Sequence, residues 1–223
     1  MLRAVTEHAG EGEKFKQMDT NFRAPLSLIK AVLPKMRENR SGKIINISSV
    51  GGMMAMPTMS IYSASKFALE GATEALWYEV KPWNIKVTLV QPGFISSDGF
   101  KKTIESKESL RSLKHPYTDY YNQYISMGLF IKKVMSKTPS TPESVAIRVL
   151  KVINQKNPPL RVAGTWDAYI FSLIRRYTPR SIYYFIFWRM LPKRMRNPGI
   201  FKPKIKISKK RYYQPETQQY DLL

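Results

Sequence analysis

The sequence predicts an α/β chain built on a parallel sheet, and three observations predict it. Residues 43–48 alternate as a buried strand, and residues 85–91 read as the next strand, ending in Pro92-Gly93. Between them, residues 62–80 carry Phe67, Leu69, Leu76 and Trp77 in a helical stretch. Strand, helix and strand in that order make a βαβ unit. The groups able to do chemistry, Ser48-Ser49, Tyr62-x-x-x-Lys66 and Pro92-Gly93, lie beyond the carboxyl ends of the strands, where parallel sheets hold ligands.

The elements follow in order. Residues 13–38 read as a long helix, because Met18, Phe22, Leu26, Ile29, Leu33 and Met36 recur at helical spacing. Pro25 and Pro34 argue against full regularity, since proline lacks the N–H that a helix interior uses. Asn21 lies off the apolar stripe. The first strand is residues 43–48, the second helix 62–80, and the second strand 85–91 before Pro92-Gly93. Residues 94–139 hold Tyr117, Tyr120, Tyr121, Tyr124 and Met127 at helical spacing, a stripe suited either to a core or to a pocket wall. Thr141-Pro142 is a capping residue followed by proline at the first helical position, so a helix should run to about Gln155. A third strand is expected over residues 160–163.

Tyr62 and Lys66, four apart on one helix, share a face. A phenol titrates near ~10, and a neighbouring ammonium favours the phenolate. The pair could therefore serve as a general acid/base. Ser49, at the end of its strand, could hydrogen-bond a substrate carbonyl oxygen. Hydride transfer to or from a carbonyl needs these tasks from the protein, with a nicotinamide cofactor carrying the hard chemistry. A bare Tyr-x-x-x-Lys also fits a helix-surface tyrosine with a solvated lysine. The small residues Ser60, Ser63, Ala64 and Ser65 around it would let a cofactor approach closely.

Here the chain resembles the short-chain dehydrogenase/reductase family, over about residues 14–165. The resemblance implies a Rossmann-like sheet. It implies Ser49, rather than Ser48, as the catalytic serine, Tyr62 as the acid/base, Lys66 as its partner and ribose ligand, and Asn21 as the support of a proton-relay water. It implies that Tyr62, Lys66, Pro92, Gly93, Ile95 and Ser97 hold the nicotinamide end of NAD or NADP. In that loop Ser97 stands where the family has threonine and keeps the hydroxyl. It also implies an alcohol/carbonyl substrate and a homodimer formed through helices 13–38 and 62–80.

The first half of the family's nucleotide-binding fold is expected to be missing. No glycine-rich strand-turn-helix for a pyrophosphate is in the sequence, and Gly10-Glu11-Gly12 follows no strand. The first strand would then be an exposed apolar edge, a pairing liability. This reads as a fragment, a late-started gene model or a degenerate relative.

Composition narrows the classes. The length suits one domain with an extension. With no Cys, disulfides, thiol nucleophiles and thiolate metal sites are excluded. His8 and His115 are the two histidines, and neither His-Glu-x-x-His nor Gly-x-Ser-x-Gly occurs. No apolar run reaches the ~20 residues of a spanning helix, and the start lacks a signal-peptide core. The expected location is cytoplasmic, or peripheral on an intracellular membrane. Residues 1–165 would form the catalytic half and 166–223 a basic, aromatic extension. From Ala168 to Pro215 there are thirteen Lys and Arg and no Asp or Glu, against a net charge of +21. Interleaved with Tyr169-Ile-Phe and Ile182-Tyr-Tyr-Phe-Ile-Phe-Trp188, these suit an anionic membrane surface. They equally suit a terminal helix packed on the domain. Nucleic acid has the weakest support, because no recognition module accompanies the charge.

The reading is an NAD(P)-dependent oxidoreductase of an alcohol/carbonyl pair, with a lipophilic substrate favoured. The alternative is an inactive relative that binds a membrane or a partner.

Overall fold

The computed structural model describes residues 1–97, 103–115, 118 and 120–196. A two-residue strand β1 (Leu2–Arg3) opens the chain, followed by α1 (Glu11–Met18), where the Glu13 carboxylate accepts the Gly10 N–H at 2.9 Å. Residues Asp19–Arg23 then form one wider, π-helical turn before α2 (Ala24–Glu38). Pro25 accounts for the widening. It has no N–H to offer the Asn21 carbonyl, and the neighbouring Ala24 N–H reaches five residues back to Asp19. The single helix expected over 13–38 is therefore a helical rod with a change of hydrogen bonding at Asn21.

Strand β2 (Gly42–Ile47), helix α3 (Ser60–Val80) and strand β3 (Ile85–Gln91) make the expected βαβ unit. After β3 come β4 (Ile104–Glu105), α4 (Lys107–Lys114), α5 (Tyr121–Lys137), α6 (Pro142–Asn154) and β5 (Arg161–Ala163). The helices α7 (Trp166–Tyr177), α8 (Arg180–Met190) and α9 (Lys193–Arg196) follow. The main sheet has the order β2-β3-β5 and is parallel throughout, with Gly42 opposite Ile85 and Leu89 opposite Arg161. β1 and β4 pair in parallel separately, and sequence patterning did not anticipate them.

The central strand is covered on both faces: Val87, Leu89 and Val90 are all buried. Burying each such side chain contributes roughly 1.5–3 kcal/mol. One core cluster joins Ile29, Ile44, Leu76, Val80, Ile85 and Val87 between the sheet and the helices α2 and α3. A second, around Met54, Met59, Met127, Ile131, Ala168, Tyr183 and Leu191, packs α5, α7 and α8 against the loop after β2. β2 is the sheet's edge, as expected. The groove beside it holds the exposed Leu28, Val32 and Ile47.

Of the tyrosine stripe, Tyr124 and Met127 belong to the core. Tyr124 and Met127 are fully buried, and Tyr120 packs edge-on against His8; Tyr117 lies outside the described residues. Tyr124 Oη accepts the Val5 N–H at 2.9 Å and bonds Ser109 at 2.7 Å and His8 Nδ1 at 3.1 Å. With the Arg3–Glu105 ion pair at 2.6 Å, this network fastens the first residues of the chain to α4 and α5. Among the described residues no helix is long and apolar enough to cross a membrane, and no cluster of His, Asp and Glu could hold a metal ion.

Candidate active site

β2 ends at Ile47, and the next two residues carry its chain out of the sheet. Ser48 N–H still bonds the Val90 carbonyl at 2.8 Å, but the Ser48 hydroxyl is buried without a partner, facing Gly52. Ser49 turns the other way. It caps the short turn Val50–Gly52, where its Oγ accepts the Gly51 N–H at 3.1 Å, and it hydrogen-bonds Tyr62. The geometry thus separates the serine pair, placing Ser49 and not Ser48 beside the tyrosine. Gly51 is required there, since a Cβ would lie 2.9 Å from the Tyr62 ring.

Tyr62 sits in the first turn of α3, at the wall of a cavity of about 210 Å³. Ser49, Gly93, Ile95 and Ser97 line the same cavity, and Val50, Met56, Met59, Phe94, Ile131 and Met135 make most of its surface apolar. The described residues thereby bring together five of the eight site residues singled out from the sequence. Pro92 lies behind the wall, its carbonyl accepting the Val50 N–H at 2.8 Å. Asn21 and Lys66 line the neighbouring groove along the β2 edge. Asn21 Nδ2 donates to Ser65 Oγ at 3.0 Å, and Ser65 Oγ donates to the Tyr62 carbonyl at 2.7 Å. Lys66 Nζ donates to the Ile47 carbonyl at 2.8 Å.

The electrostatics depart from expectation at one point. Lys66 was expected to draw the Tyr62 phenol down. Instead burial pushes Tyr62 above its ordinary value, opposed by the Ser49 hydrogen bond. Burial also pulls Lys66 below its ordinary value, and Glu70 opposes that. The physical reason is that the ammonium is spent on the Ile47 carbonyl, while the phenolate would lose water on the apolar side. Both shifts thus disfavour the charged form of the side chain.

Two residues that sequence reasoning missed hold the loop after β3. Thr165 Oγ1 accepts the Gly93 N–H at 2.8 Å, and Asp167 Oδ2 accepts the Phe94 N–H at 2.8 Å. Both belong to the start of α7, where Thr165 is the N-cap. Thr-x-Asp before an apolar helix is a capping signature that could have flagged them. Gly93 must stay glycine, because a Cβ would lie 2.1 Å from Asp167 Oδ2. The loop that carries Met56 and Met59 contains Thr58, a buried β-branched residue at φ 64. That conformation is strained for threonine.

Known proteins are similar to this chain. Residues 4–108 match the family model described as short chain dehydrogenase. The chain is 38% identical over 182 residues to a 3-ketodihydrosphingosine reductase of Bacteroides thetaiotaomicron, covering 81% of this chain and 65% of that protein. It is 34% identical over 146 residues to retinol dehydrogenase 8 of Bos taurus, covering 64% and 46% of the two chains. Among solved structures it resembles a short-chain dehydrogenase from Streptomyces avermitilis, with a TM-score of 0.65 and 29% identity over 85% of this chain and 65% of that one. A short-chain dehydrogenase/reductase from Burkholderia phymatum in complex with NAD shares the fold, with a TM-score of 0.59 and 15% identity, over 78% of this chain and 60% of that one. The chain therefore spans 65% or less of the length of each of these relatives. The family model, the relatives and the solved structures agree: the chain belongs to the short-chain dehydrogenase/reductase family.

Proposed function

We propose that this chain carries the catalytic half of an NAD(P)-dependent oxidoreductase acting on a lipophilic alcohol/carbonyl pair. The observation that carries the reading is the Ser49–Tyr62 hydroxyl pair at the wall of an apolar cavity bordered by the Pro92-Gly93 loop. NAD(P)H, when bound, supplies the hydride. Tyr62 donates the proton to the carbonyl oxygen, a role suited to a phenol that burial keeps protonated. Ser49 donates a second hydrogen bond to the same oxygen and orients it. Asn21 is assigned to supporting a relay water and Lys66 to holding ribose. Tyr62, Pro92, Gly93, Ile95 and Ser97 suit the nicotinamide end, and the sequence contains no glycine-rich turn for a pyrophosphate.

The methionines and aliphatic groups of the cavity support a flexible, apolar substrate. The names of two relatives, a ketosphingoid reductase and a retinol dehydrogenase, point the same way. Exposed Phe15, Leu28, Phe67 and Tyr78 on the helical rod of residues 11–38 and on α3 support the homodimer reading.

The test uses the chain fused to the nucleotide-binding half that the resemblance implies, with reduction of long-chain ketones followed by loss of NAD(P)H. Tyr62→Phe should lower turnover by about 10²–10⁴-fold, the usual weight of general acid catalysis, and leave cofactor affinity intact. Near-normal turnover in the Phe variant would overturn the assignment.

A further inference from the structure

Residues 166–190 fold as two helices joined at Thr178 and Pro179, and both turn large apolar side chains to solvent. On α7 these are Trp166, Tyr169, Ile170, Leu173, Ile174 and Tyr177. Steps of three and four residues put them in one stripe along the helix. Such a stripe ordinarily faces a core, yet Trp166 is 70% exposed and Tyr177 71%. The other side of α7 does the packing, through fully buried Ala168 and through Phe171. α8 is arranged likewise. Tyr183 and Phe187, one turn apart and stacked at 6.0 Å, join the core, while Ile182, Phe185, Ile186 and Trp188 are exposed. Single exposed apolar residues are ordinary; a dense patch of this kind marks a contact surface.

Charge selects the partner. Between Ala168 and Arg196 there are seven Lys and Arg and no Asp or Glu. Two of the guanidinium groups lie against aromatic rings of α8: Arg175 is 4.7 Å from the Tyr183 centroid and Arg189 is 5.1 Å from that of Phe185. A bilayer interface favours both features at once, Trp and Tyr at headgroup level and cations against anionic lipid. Helices of 12 and 11 residues fall well short of the ~20 that span the hydrocarbon core. They would lie on the membrane and not cross it.

We propose that α7 and α8 form a monotopic docking surface for an anionic lipid bilayer, with Trp166, Leu173, Tyr177, Phe185 and Trp188 entering the headgroup–acyl boundary. This surface is independent of the catalytic reading, and vesicle binding tests it without cofactor or substrate.

The probe is a phosphatidylcholine vesicle with or without phosphatidylserine, co-sedimented with the full chain across a salt series. The chain should bind the anionic vesicles. Removing one surface cation, as in Arg189→Gln, should weaken partitioning about fivefold, equivalent to ~1 kcal/mol. At 1 M salt the Debye length falls to ~3 Å, so attraction fades and an insertion-dependent remainder should persist. The triple variant Trp166→Ser, Tyr177→Ser, Trp188→Ser should lose that remainder while keeping its circular dichroism, because all three side chains are exposed. Equal sedimentation of wild type and triple variant would overturn the proposal. So would binding that salt abolishes entirely. If the wild type ignores vesicles but self-associates in sedimentation velocity, and the triple variant does not, the surface joins two copies and the proposal fails.

Discussion

Replacing Asp167 by Ala should loosen the loop that walls the cavity. Asp167 Oδ2 accepts the Phe94 N–H at 2.8 Å, and the side chain also stands in the first turn of α7, where a carboxylate meets the positive end of the helix dipole. A hydrogen bond to a charged group contributes about 1.5–3 kcal/mol net and the dipole about 0.3–1 kcal/mol. Against this, Oδ1 is buried without a hydrogen-bond partner, at a cost of about 1–3 kcal/mol that Ala removes. At mid-range values the balance is a loss of about 1 kcal/mol. With a slope near 2 kcal/mol per molar urea, the unfolding midpoint should fall by about 0.5 M. Asp167→Asn keeps an acceptor oxygen and should cost less. Gly93→Ala drives a Cβ to 2.1 Å from Oδ2, so its damage should shrink when Asp167 is already Ala. An unchanged midpoint for Asp167→Ala, or additive effects in the pair, would refute the strap.

Three further outcomes are expected. Tyr124→Phe removes the acceptor of the Val5 N–H and a partner of Ser109 in a fully buried site. It should cost about 2–3 kcal/mol in urea unfolding, and a loss under ~0.5 kcal/mol would show the network to be idle. Tyr62 has its folded-state value raised, so its contribution to stability is fully present below its unfolded value near ~10 and is lost as pH rises through the folded value. The stability gap between wild type and Tyr62→Phe should stay flat at neutral pH and change only in strong alkali; a change between neutrality and pH ~9 would contradict the burial of the phenol. The chain of 223 residues should bind NAD(P)H weakly in calorimetry for want of a pyrophosphate cradle, and low-micromolar affinity would show that other residues supply it.

The βαβ unit was legible because β3, buried on both faces, carries Ile85, Val87, Leu89 and Val90 in a short strand that ends at Pro92-Gly93. Ser49, Tyr62 and the Gly93–Ser97 loop were legible because motif order places them at one end of the sheet. The π-helical turn escaped pattern reading: proline at position 25 announces a missing N–H but not how the helix absorbs it. The direction of the Tyr62 shift escaped too, since spacing puts Lys66 on the same face without revealing that its ammonium is committed to Ile47. Thr165 and Asp167 lie more than 70 residues from the loop they hold, as the separations of 72 and 73 show, and only β3–β5 pairing brings them there. The tyrosine stripe had the period of a helix face, and period alone does not distinguish a core from a pocket.

The Thr165–Asp167 strap has one more consequence. The first turn of α7 grips the backbone of Gly93 and Phe94 on its inner side and presents Trp166 on its outer side. Surface and cavity thus share one helical turn with no linker between them. Any free energy by which an occupant of the outer stripe shifts that turn must reappear, with equal magnitude, as a change in affinity for whatever fills the cavity. A ligand titrated into the cavity would then report on the outside of the molecule, and an outside partner on the cavity, by the same factor.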